Sequence, residues 1–300
     1  MNILRVAHTC LLLSLALPSA ASAQKPDSAR AFDYSPAQCQ SCAEWNAPQK
    51  PLRIFGNTWY VGTHGLGAIL ITSPQGHVLI DGGIPASAPA IIANIRALGF
   101  LIEDVRLIVN SHAHFDHAGG IAELQRASGA EVAASPASAP VLRAGTSGQD
   151  DPQFGLLLPY APVGKVRTIA DGETLRAGGV AVTAHFTPGH TAGGTTWTWA
   201  SCEGDVCRDM VYADSQTPVS ADGFFFTRST TYPNAIADFE RGQKVLEQLS
   251  CDILITPHPS ASQLWERVES RTLVDTSACK RYAANARTAL AKRIAKEQLP

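Results

Sequence analysis

Two successive blocks, each of strands followed by helices, constrain the fold of this 300-residue chain more than any other feature. Alternating or continuous apolar runs predict strands, and apolar residues at helical spacing predict helices. The first block contains strands at 53–62, 67–72, 76–81 and 105–110, and helices at 86–98, 121–127 and 138–143. The second contains strands at 166–169, 180–186, 194–200, 210–214 and 251–256, and helices at 234–249 and 277–296. Two sheets with helices on their outer sides fit this order, although periodicity alone does not choose between that arrangement and other α/β layerings.

The N-terminal residues have the pattern of an export signal. Arg5 precedes an apolar run at 10–17, and Ala21-Ser22-Ala23 follows, which predicts a signal peptide at 1–23 that is cleaved before Gln24. The run is shorter than the roughly 20 residues of a membrane-spanning helix, and no later segment comes closer. We therefore expect a periplasmic protein with no membrane span, in which an N-terminal arm at 24–52 precedes one domain at 53–300.

Composition narrows the possible partners. The chain is 45% hydrophobic and 17% charged, which suits a globular enzyme with a substantial core. The formal net charge is −2, and no run of like charges appears apart from the Lys- and Arg-bearing stretch at 280–296. Nucleic acid is therefore not an expected partner. We expect a monomer that acts on a small molecule, although the sequence itself contains no indication of oligomeric state.

Six cysteines remain once the expected leader is removed, and an even number in an exported chain favours disulfides. Proximity in sequence pairs Cys202 with Cys207 across a turn and Cys251 with Cys279 between a strand and the last helix. The two remaining cysteines, Cys39 and Cys42, are left to each other. Their spacing also occurs in redox motifs, but this stretch lacks the strand and helix that such motifs need, which disfavours a redox role.

The strongest chemical signal is a group of three histidines and one aspartate within six positions: His112, His114, Asp116 and His117. Because side chains alternate along an extended backbone, His112 and His114 point the same way and can share one metal ion. Asp116 and His117 follow at a turn into a helix, from which they can reach a second ion. Neutral imidazoles with a carboxylate are the ligands of open, catalytic zinc sites, whereas cysteines would indicate a structural site. A chance grouping is disfavoured, because the chain contains only nine histidines.

Two further histidines stand where an apolar strand runs out into a loop, and we expect both to complete the cluster. They are His190 and His258. Alone, each would more often be a structural histidine, but the upstream motif makes metal binding the better interpretation. His77, in a predicted hairpin turn, and His185, on the opposite face of its strand, are expected to be structural. His64 is expected to border the site without binding metal.

The motif His112-x-His114-x-Asp116-His117, with the later Pro188-Gly189-His190, resembles the metallo-β-lactamase superfamily. The predicted order of elements matches the αββα sandwich of that superfamily, an α/β fold of two mixed sheets with helices on the outer faces, from about residue 53 to the C terminus. The chain is similar to the β-lactamases of subclass B three (B3), which have histidine at every imidazole position and no cysteine ligand. The runs at 63–73, 212–215 and 256–259 support that placement. The resemblance implies two zinc ions, the first bound by His112, His114 and His190 and the second by Asp116, His117 and His258.

The same resemblance implies a reaction, namely hydrolysis of the amide bond of β-lactam antibiotics by a hydroxide held between the two zinc ions. Such an enzyme confers antibiotic resistance. Two zinc ions about 3.5–4 Å apart bring the pKa of a shared water towards ~7, which supplies hydroxide at neutral pH. Asp116 is the expected catalytic residue, since it would orient this hydroxide as well as bind metal. Asp81 is expected to support the histidine loop from behind the ligands, with a simple turn-forming role as the alternative.

Which residue of the pair Asp214-Ser215 faces the metals distinguishes two kinds of hydrolase. Lactonases and glyoxalase II, which belong to the same superfamily, carry a metal-bridging aspartate at the end of this strand, and alternation lets only one of the two residues face the metals. The resemblance to lactamases predicts that Ser215 faces inward with Thr217, and both hydroxyls suit a substrate carboxylate. An inward Asp214 would favour an exported lactonase or esterase instead. A zinc-binding protein without catalytic function is disfavoured by the mixture of imidazole and carboxylate ligands.

Further substrate contacts are expected from loops and from the N-terminal arm. The candidates are Gln153 in the run 151–154, the aromatic run 224–226, and Tyr34 and Trp45 on the arm. Exposed aromatic groups beside a metal site would receive the apolar side groups of a ligand. The alternative for 224–226 is packing in the core.

Overall fold

The computed structural model describes residues 38–299, so the expected signal peptide and Tyr34 lie outside the described residues. Over this range the chain forms twelve strands: β1 (Leu52–Phe55), β2 (Thr58–Tyr60), β3 (Ile69–Ile71), β4 (His77–Ile80), β5 (Val105–Val109), β6 (Glu131–Ala134), β7 (Val166–Thr168), β8 (Thr174–Ala177), β9 (Val180–Phe186), β10 (Thr195–Glu203), β11 (Val206–Tyr212) and β12 (Ile253–Ile255). The α-helices in the same range are α1 (Cys42–Trp45), α2 (Ala88–Ala97), α3 (Phe115–Ala118), α4 (Ile121–Ser128), α5 (Ser138–Ala144), α6 (Ala235–Gln248), α7 (Leu264–Glu269) and α8 (Ala278–Glu297).

The strands form two mixed sheets. The first has the order β1-β2-β3-β4-β5-β6-β7, in which β1 to β4 are antiparallel neighbours and β4 to β7 run parallel. The second has the order β12-β11-β10-β9-β8, and only β11 and β12 are parallel neighbours in it. Two mixed sheets with helices confirm the predicted α/β architecture.

The core lies in layers, because the central strands are apolar on both faces. In β3, Ile69 and Ile71 belong to the apolar cluster that also contains Trp197 of β10, so these side chains lie between the sheets. Leu70, one residue along, points to the other side and packs in the cluster that contains Ile91 of α2. On the second sheet, Val211, Leu246 and Ala283 form a further cluster with α6 and α8. Each buried Ile or Leu stabilises the fold by roughly 1.5–3 kcal/mol, which is why both faces of these strands are apolar.

The structure differs from the predicted elements in its first strand. The predicted strand at 53–62 is a hairpin, in which β1 and β2 are joined through Gly56 at a φ of 50°. Glycine adopts this left-handed conformation without the cost that a Cβ imposes, and so permits the turn. Strands β6 and β8 were not predicted from the sequence. The β6 segment ends in alanines, which have low strand propensity, and it forms a strand because β5 and β7 pair with it on either side.

Three cysteine pairs lie at disulfide distance, and they are the pairs that proximity in sequence suggested. The sulfur atoms are 1.97 Å apart in Cys39–Cys42, 2.00 Å in Cys202–Cys207 and 2.01 Å in Cys251–Cys279. The third pair joins the segment before β12 to α8, across a sequence separation of 28 residues. Between residues 38 and 299, no helix combines the length and the apolarity that crossing a membrane requires.

Candidate metal centre

The ends of three strands bring the predicted metal ligands together. His112 and His114 follow β5, His190 follows β9, and His258 follows β12. The two remaining predicted ligands lie on α3, a single helical turn that begins just after His114. Strands that end at one place and continue as loops are a common way to hold reactive side chains on a rigid support.

Two overlapping groups of side chains have the geometry of a metal site. Donor atoms within each group lie within 4.8 Å of one another: His112, His114 and His190 form the first, and His112, Asp116 and His117 form the second. His258 faces the second group, because its Nε2 lies 3.3 Å from Oδ2 of Asp116. Nε2 of His117 lies 3.2 Å from the same oxygen. The structure therefore brings all six predicted ligands around one space.

Two histidines of the first group are each held by a carboxylate. Nδ1 of His112 lies 2.7 Å from Oδ1 of Asp214, and Nε2 of His114 lies 2.8 Å from Oδ2 of Asp151. A histidine that donates its ring hydrogen to a carboxylate keeps a lone pair on the other nitrogen, in a fixed direction. The free nitrogens are thus Nε2 of His112 and Nδ1 of His114.

A backbone carbonyl orients the third histidine. Nδ1 of His190 lies 2.8 Å from the carbonyl oxygen of Thr217, and since a carbonyl only accepts hydrogen bonds, this nitrogen carries the hydrogen. Nε2 of His112 and both ring nitrogens of His117 are buried, and none of them makes a hydrogen bond among the described residues. Leaving a buried polar atom unpaired costs roughly 1–3 kcal/mol. A neutral imidazole has a single lone pair, so Nε2 of His112 and one nitrogen of His117 fit a bound metal ion.

The carboxylates around the site have no basic partners. Asp81, Asp116, Asp151 and Asp214 contact imidazoles, hydroxyls or backbone amides, and within residues 38–299 none of them forms an ion pair with Arg or Lys. Burial raises the pKa of Asp81 and raises that of Asp214 well above its ordinary value, so nearby divalent cations would favour the ionised form of both carboxylates. The imidazole and carboxylate donors also match the ligand preference of zinc, so the residues fit two such ions.

Burial and mutual contacts put these groups in their metal-binding protonation states. Burial would raise the pKa of Asp116, but the adjacent His117 and His258 imidazoles hold that pKa well below its usual value. Burial, together with neighbouring imidazoles, lowers the pKa of His112 well below its ordinary value, and burial lowers the pKa of His190 to about 3. At neutral pH the site therefore presents an ionised Asp116 with neutral His112 and His190, which are the forms that bind metal. Burial opposes the charge on His258, but its contact with Asp116 raises the pKa of this imidazole above its ordinary value.

Asp81, at the end of β4, holds the loop that carries the first histidines. Its Oδ1 accepts a hydrogen bond from the backbone N–H of Ser111 at 2.7 Å, and its Oδ2 accepts from the hydroxyls of Ser111 at 2.7 Å and Tyr212 at 2.9 Å. The residue is fully buried and has a φ of 62°, a region that aspartate tolerates better than most residues. Because His112 directly follows Ser111, Asp81 fixes the backbone at this histidine.

A pocket of about 340 Å³ opens beside the two groups. The predicted substrate-binding residues Gln153, Ser215 and Thr217 all line this pocket. Asp214 is fully buried behind His112 and belongs to neither group of metal-binding side chains. In the pair Asp214-Ser215 it is therefore the serine that faces the pocket, while the aspartate orients a histidine.

The other aromatic candidates divide between the pocket and the core. Trp45 lines the pocket, with its ring centroid 5.4 Å from that of His258. None of the residues at 224–226 lines it, and Phe226 is buried against Phe239 of α6 at a centroid distance of 5.7 Å. The structure favours the alternative of core packing for Phe224 and Phe226, which pack with residues of α6 and α8. Phe225 lies outside that cluster, with the guanidinium of Arg228 over its ring.

The remaining histidines lie outside the two groups. His64 stacks on Trp265, with ring centroids 5.1 Å apart, and does not line the pocket. His77 is the buried first residue of β4 and not part of a hairpin turn as predicted, because it packs edge-on against Phe100. His185 is half-buried, and its Nε2 lies 2.9 Å from the hydroxyl of Thr198.

Two contacts of the site were not predicted from the sequence. The sequence pattern placed Asp151 only in a substrate-binding run, and Asp214 was considered only as a bridging ligand. Both hold a histidine of the first group. No local pattern could have revealed these contacts, since His114 and Asp151 are 37 positions apart and His112 and Asp214 are 102 apart.

Comparisons with known proteins agree with this geometry. Residues 68–268 match the family model of the metallo-beta-lactamase superfamily. The Rm3 metallo-beta-lactamase has 57% sequence identity and a TM-score of 0.86, with 87% of this chain and 99% of that chain covered. MEM-A1, a subclass B3 metallo-beta-lactamase from a soil metagenome library, has 51% identity and a TM-score of 0.82, with coverage of 84% and 98%.

A curated relative of a different activity matches more weakly. The hydroxyacylglutathione hydrolase of Rhodospirillum rubrum is 26% identical over 129 residues, which is 43% of this chain and only 41% of that protein. The chain thus spans less than half the length of this relative, whereas it spans nearly all of the two solved lactamase structures. The chain belongs to the metallo-beta-lactamase superfamily, and within it resembles the enzymes of subclass B3.

Proposed function

We propose that this protein is a zinc-dependent hydrolase that opens the amide bond of β-lactam antibiotics and thereby confers resistance to them. The observation that carries the proposal is the high identity to the Rm3 metallo-beta-lactamase across nearly the whole of that chain. The geometry supports it, because six metal-binding side chains border a pocket whose walls carry hydroxyl and amide groups. A fold alone would not support one substrate, since the superfamily serves several chemistries.

The proposed cofactor is a pair of zinc ions in each chain. The first ion would be held by His112, His114 and His190, and the second by Asp116, His117 and His258. When bound, two zinc ions lower the pKa of coordinated water and polarise a carbonyl oxygen, which is the chemistry that amide hydrolysis at neutral pH requires.

The chain's own residues would then orient water and substrate. Asp116 is held ionised by His117 and His258, so its carboxylate can accept a hydrogen bond from the attacking water and orient it. The hydroxyls of Ser215 and Thr217 line the pocket beside His190 and would donate to the carboxylate of a β-lactam. Such contacts would orient the substrate so that its lactam carbonyl lies beside the proposed metal ligands.

A third pocket-lining side chain is the amide of Gln153. Its Nε2 lies 3.4 Å from Nε2 of His190, so it stands beside the first group of ligands. In this position the amide would donate to a substrate oxygen. Asp81 would act from behind the ligands by keeping the backbone of Ser111 in place.

The location and maturation of the protein belong to the same proposal. We propose that 1–23 is a signal peptide, that 24–52 is an arm in front of the domain at 53–300, and that the mature protein is a periplasmic monomer. The three close cysteine pairs support export, since disulfides persist in oxidising compartments. Mass spectrometry of protein recovered from the periplasm would give both the N-terminal residue and the number of free thiols.

The alternative is an exported lactonase or thioesterase of the same superfamily. The partial match to a hydroxyacylglutathione hydrolase favours it, but a metal-bridging aspartate would be expected in such an enzyme. Asp214 is instead engaged with His112, and Ser215 faces the pocket. This side-chain arrangement supports the β-lactam substrate.

A substrate panel tests the proposal. Purified protein is assayed with a carbapenem, a chromogenic cephalosporin, a homoserine lactone and a thioester, each with and without a chelator. We expect chelator-sensitive turnover of the β-lactams and little turnover of the others. Turnover of lactones or thioesters without β-lactam hydrolysis would replace the proposal by its alternative.

Two histidine variants give a matched comparison for the ligand set. His190→Ala is expected to lose one zinc ion per chain and most of its turnover, because His190 contributes to the first group. His64→Ala changes a histidine that stacks on Trp265 outside both groups, and it is expected to keep its zinc. Equal metal content in the two variants would remove His190 from the ligand set.

A further inference from the structure

We propose that Asp151 is a positioning residue that couples the first metal group to the wall of the pocket. This inference rests on the proposed metal centre. One oxygen of the Asp151 carboxylate, Oδ2, lies 2.8 Å from Nε2 of His114, and the other, Oδ1, accepts a hydrogen bond from the backbone N–H of Gln153 at 2.8 Å. A single carboxylate thus bridges a proposed ligand and the backbone of a residue that lines the pocket.

The bridge is largely shielded from water. The side chain of His114 is 3% exposed and that of Asp151 is 10% exposed. A charge-assisted hydrogen bond in such surroundings is stronger than one at the surface, because fewer water molecules compete for the donor and the acceptor. The contact therefore fixes both the tautomer and the ring orientation of His114, with the hydrogen on Nε2 and the lone pair on Nδ1.

Asp151 and Asp214 each hold a histidine of the first group, but they lie in different kinds of structural element. Asp214 is fully buried and lies two residues after the end of β11, so the strand holds it in place. Asp151 belongs to the irregular segment between α5 and β7. Near Asp151 that segment is anchored by the hydrogen bond from Ala221 N–H to the carbonyl of Pro152 at 2.8 Å, and further along by the hydroxyl of Tyr160, which donates to the carbonyl of Ala113 at 2.8 Å.

Because Asp151 lies in a loop segment and not at the end of a strand, its position depends on its contact with His114, and this couples the metal site to the pocket wall. When a metal ion holds His114, the imidazole in turn holds Asp151, and Asp151 keeps Gln153 at the pocket wall. Removal of the carboxylate would therefore weaken metal binding and loosen a substrate contact together. Partners of metal-binding histidines typically contribute 10–100-fold to metal affinity, which sets the size of the expected effect.

The test compares Asp151→Ala and Asp151→Asn with Asp150→Ala as a matched control. Asp150 is the exposed neighbour with the same charge in the same segment. Zinc affinity is measured on metal-free protein by competition with a chromogenic chelator. We expect a loss of about 10–100-fold for one of the two ions in Asp151→Ala, a smaller loss in Asp151→Asn, which keeps an oxygen acceptor, and no change in Asp150→Ala.

Two further measurements separate positioning from a general structural role. The ¹⁵N shifts of His114 in the metal-free protein report its tautomer, which is expected to be the Nε2–H form in the wild type and a mixture in Asp151→Ala. KM for a cephalosporin is expected to rise in Asp151→Ala, because Gln153 loses its anchor. Thermal unfolding of each metal-free variant identifies any variant that fails to fold. If Asp151→Ala fails to fold, Asp151→Asn is compared with the wild type in its place.

The outcomes are distinguishable from those of the proposed function. If the wild type hydrolyses β-lactams but folded Asp151→Ala binds both zinc ions as tightly as the wild type, the inference is wrong and the proposed function stands. If the wild type hydrolyses no β-lactam but Asp151→Ala still loses affinity for one zinc ion, the positioning role stands and the proposed substrate is wrong.

Discussion

Replacing Asp81 by alanine is expected to destabilise the metal-free protein by about 4 kcal/mol, most of which comes from stranded hydrogen-bond donors. Two of the donors that contact the carboxylate have other acceptors: the hydroxyl of Tyr212 also reaches the carbonyl of Gly67 at 3.2 Å, and the amide of Asn110 also reaches the carbonyl of His112 at 2.7 Å. The backbone N–H and the hydroxyl of Ser111 have no second acceptor among the described residues.

The magnitude follows from these two stranded donors. Each buried donor without an acceptor costs roughly 1–3 kcal/mol. The φ of 62° at this position costs alanine about 1 kcal/mol more than aspartate. Part of the loss is offset, because burial raises the pKa of the Asp81 carboxyl above its ordinary value, so the charged carboxylate is itself disfavoured in the wild type. Asp81→Asn keeps one oxygen acceptor and tolerates the backbone angle, and it is expected to lose only about 1–2 kcal/mol.

Chemical denaturation of the metal-free proteins measures both variants. The expected order of the free energy of unfolding is wild type, then Asp81→Asn, then Asp81→Ala. Because Ser111 adjoins His112, Asp81→Ala is also expected to bind zinc more weakly. A free energy of unfolding for Asp81→Ala within about 1 kcal/mol of the wild type would contradict the predicted loss, since it would mean that the Ser111 donors find other partners.

Three further predictions concern the surroundings of the site. Gly189→Ala is expected to lose about 3 kcal/mol of stability, because its Cβ would lie 2.5 Å from the ring of Phe239, and the backbone there has a φ of 137°. The control is Gly129→Ala, where φ is 71° and no atom lies close to the added Cβ, and it is expected to lose only about 1 kcal/mol. Equal losses in chemical denaturation would contradict the predicted clash with Phe239. In metal-free protein, burial lowers the pKa of His190 to about 3. The stability that the neutral imidazole contributes is therefore fully present above the ordinary histidine pKa of 6.5, and it is lost as the pH falls towards about 3. Denaturation of metal-free protein at pH 7 and at pH 5 should therefore show lower stability at pH 5, and pH-independent stability would count against this protonation state. Replacing both members of the Cys251–Cys279 pair by serine is expected to lower the free energy of unfolding by about 3 kcal/mol, and an unchanged value would show that the pair is reduced in the purified protein.

The sequence predicts some of these features for clear physical reasons. Local patterns suffice for the strand at 105–109 and for the ligands that follow it, because alternation and the turn into α3 act over a few residues. The hairpin at Gly56 was missed, because a continuous apolar pattern hides a turn that depends on one glycine. The strand β6 was missed because its alanines become a strand only through pairing with distant neighbours.

The partners of the site histidines could not be predicted, because they depend on tertiary contacts. Asp214 was recognised as a residue near the metals, yet its contact with His112 is set by how β11 passes behind the histidine loop. Asp151 lies in an irregular segment whose path no periodic pattern describes. Its contact with His114 therefore becomes visible only in the folded protein.

A zinc titration of the metal-free mature protein tests directly whether hydrolysis requires two bound zinc ions. Zinc is added in steps while bound metal and turnover of a chromogenic cephalosporin are measured on the same samples. We expect negligible turnover without metal, and full turnover at two zinc ions per chain. Turnover that persists in excess chelator, or the absence of turnover when two zinc ions are bound, would contradict a zinc-dependent hydrolysis.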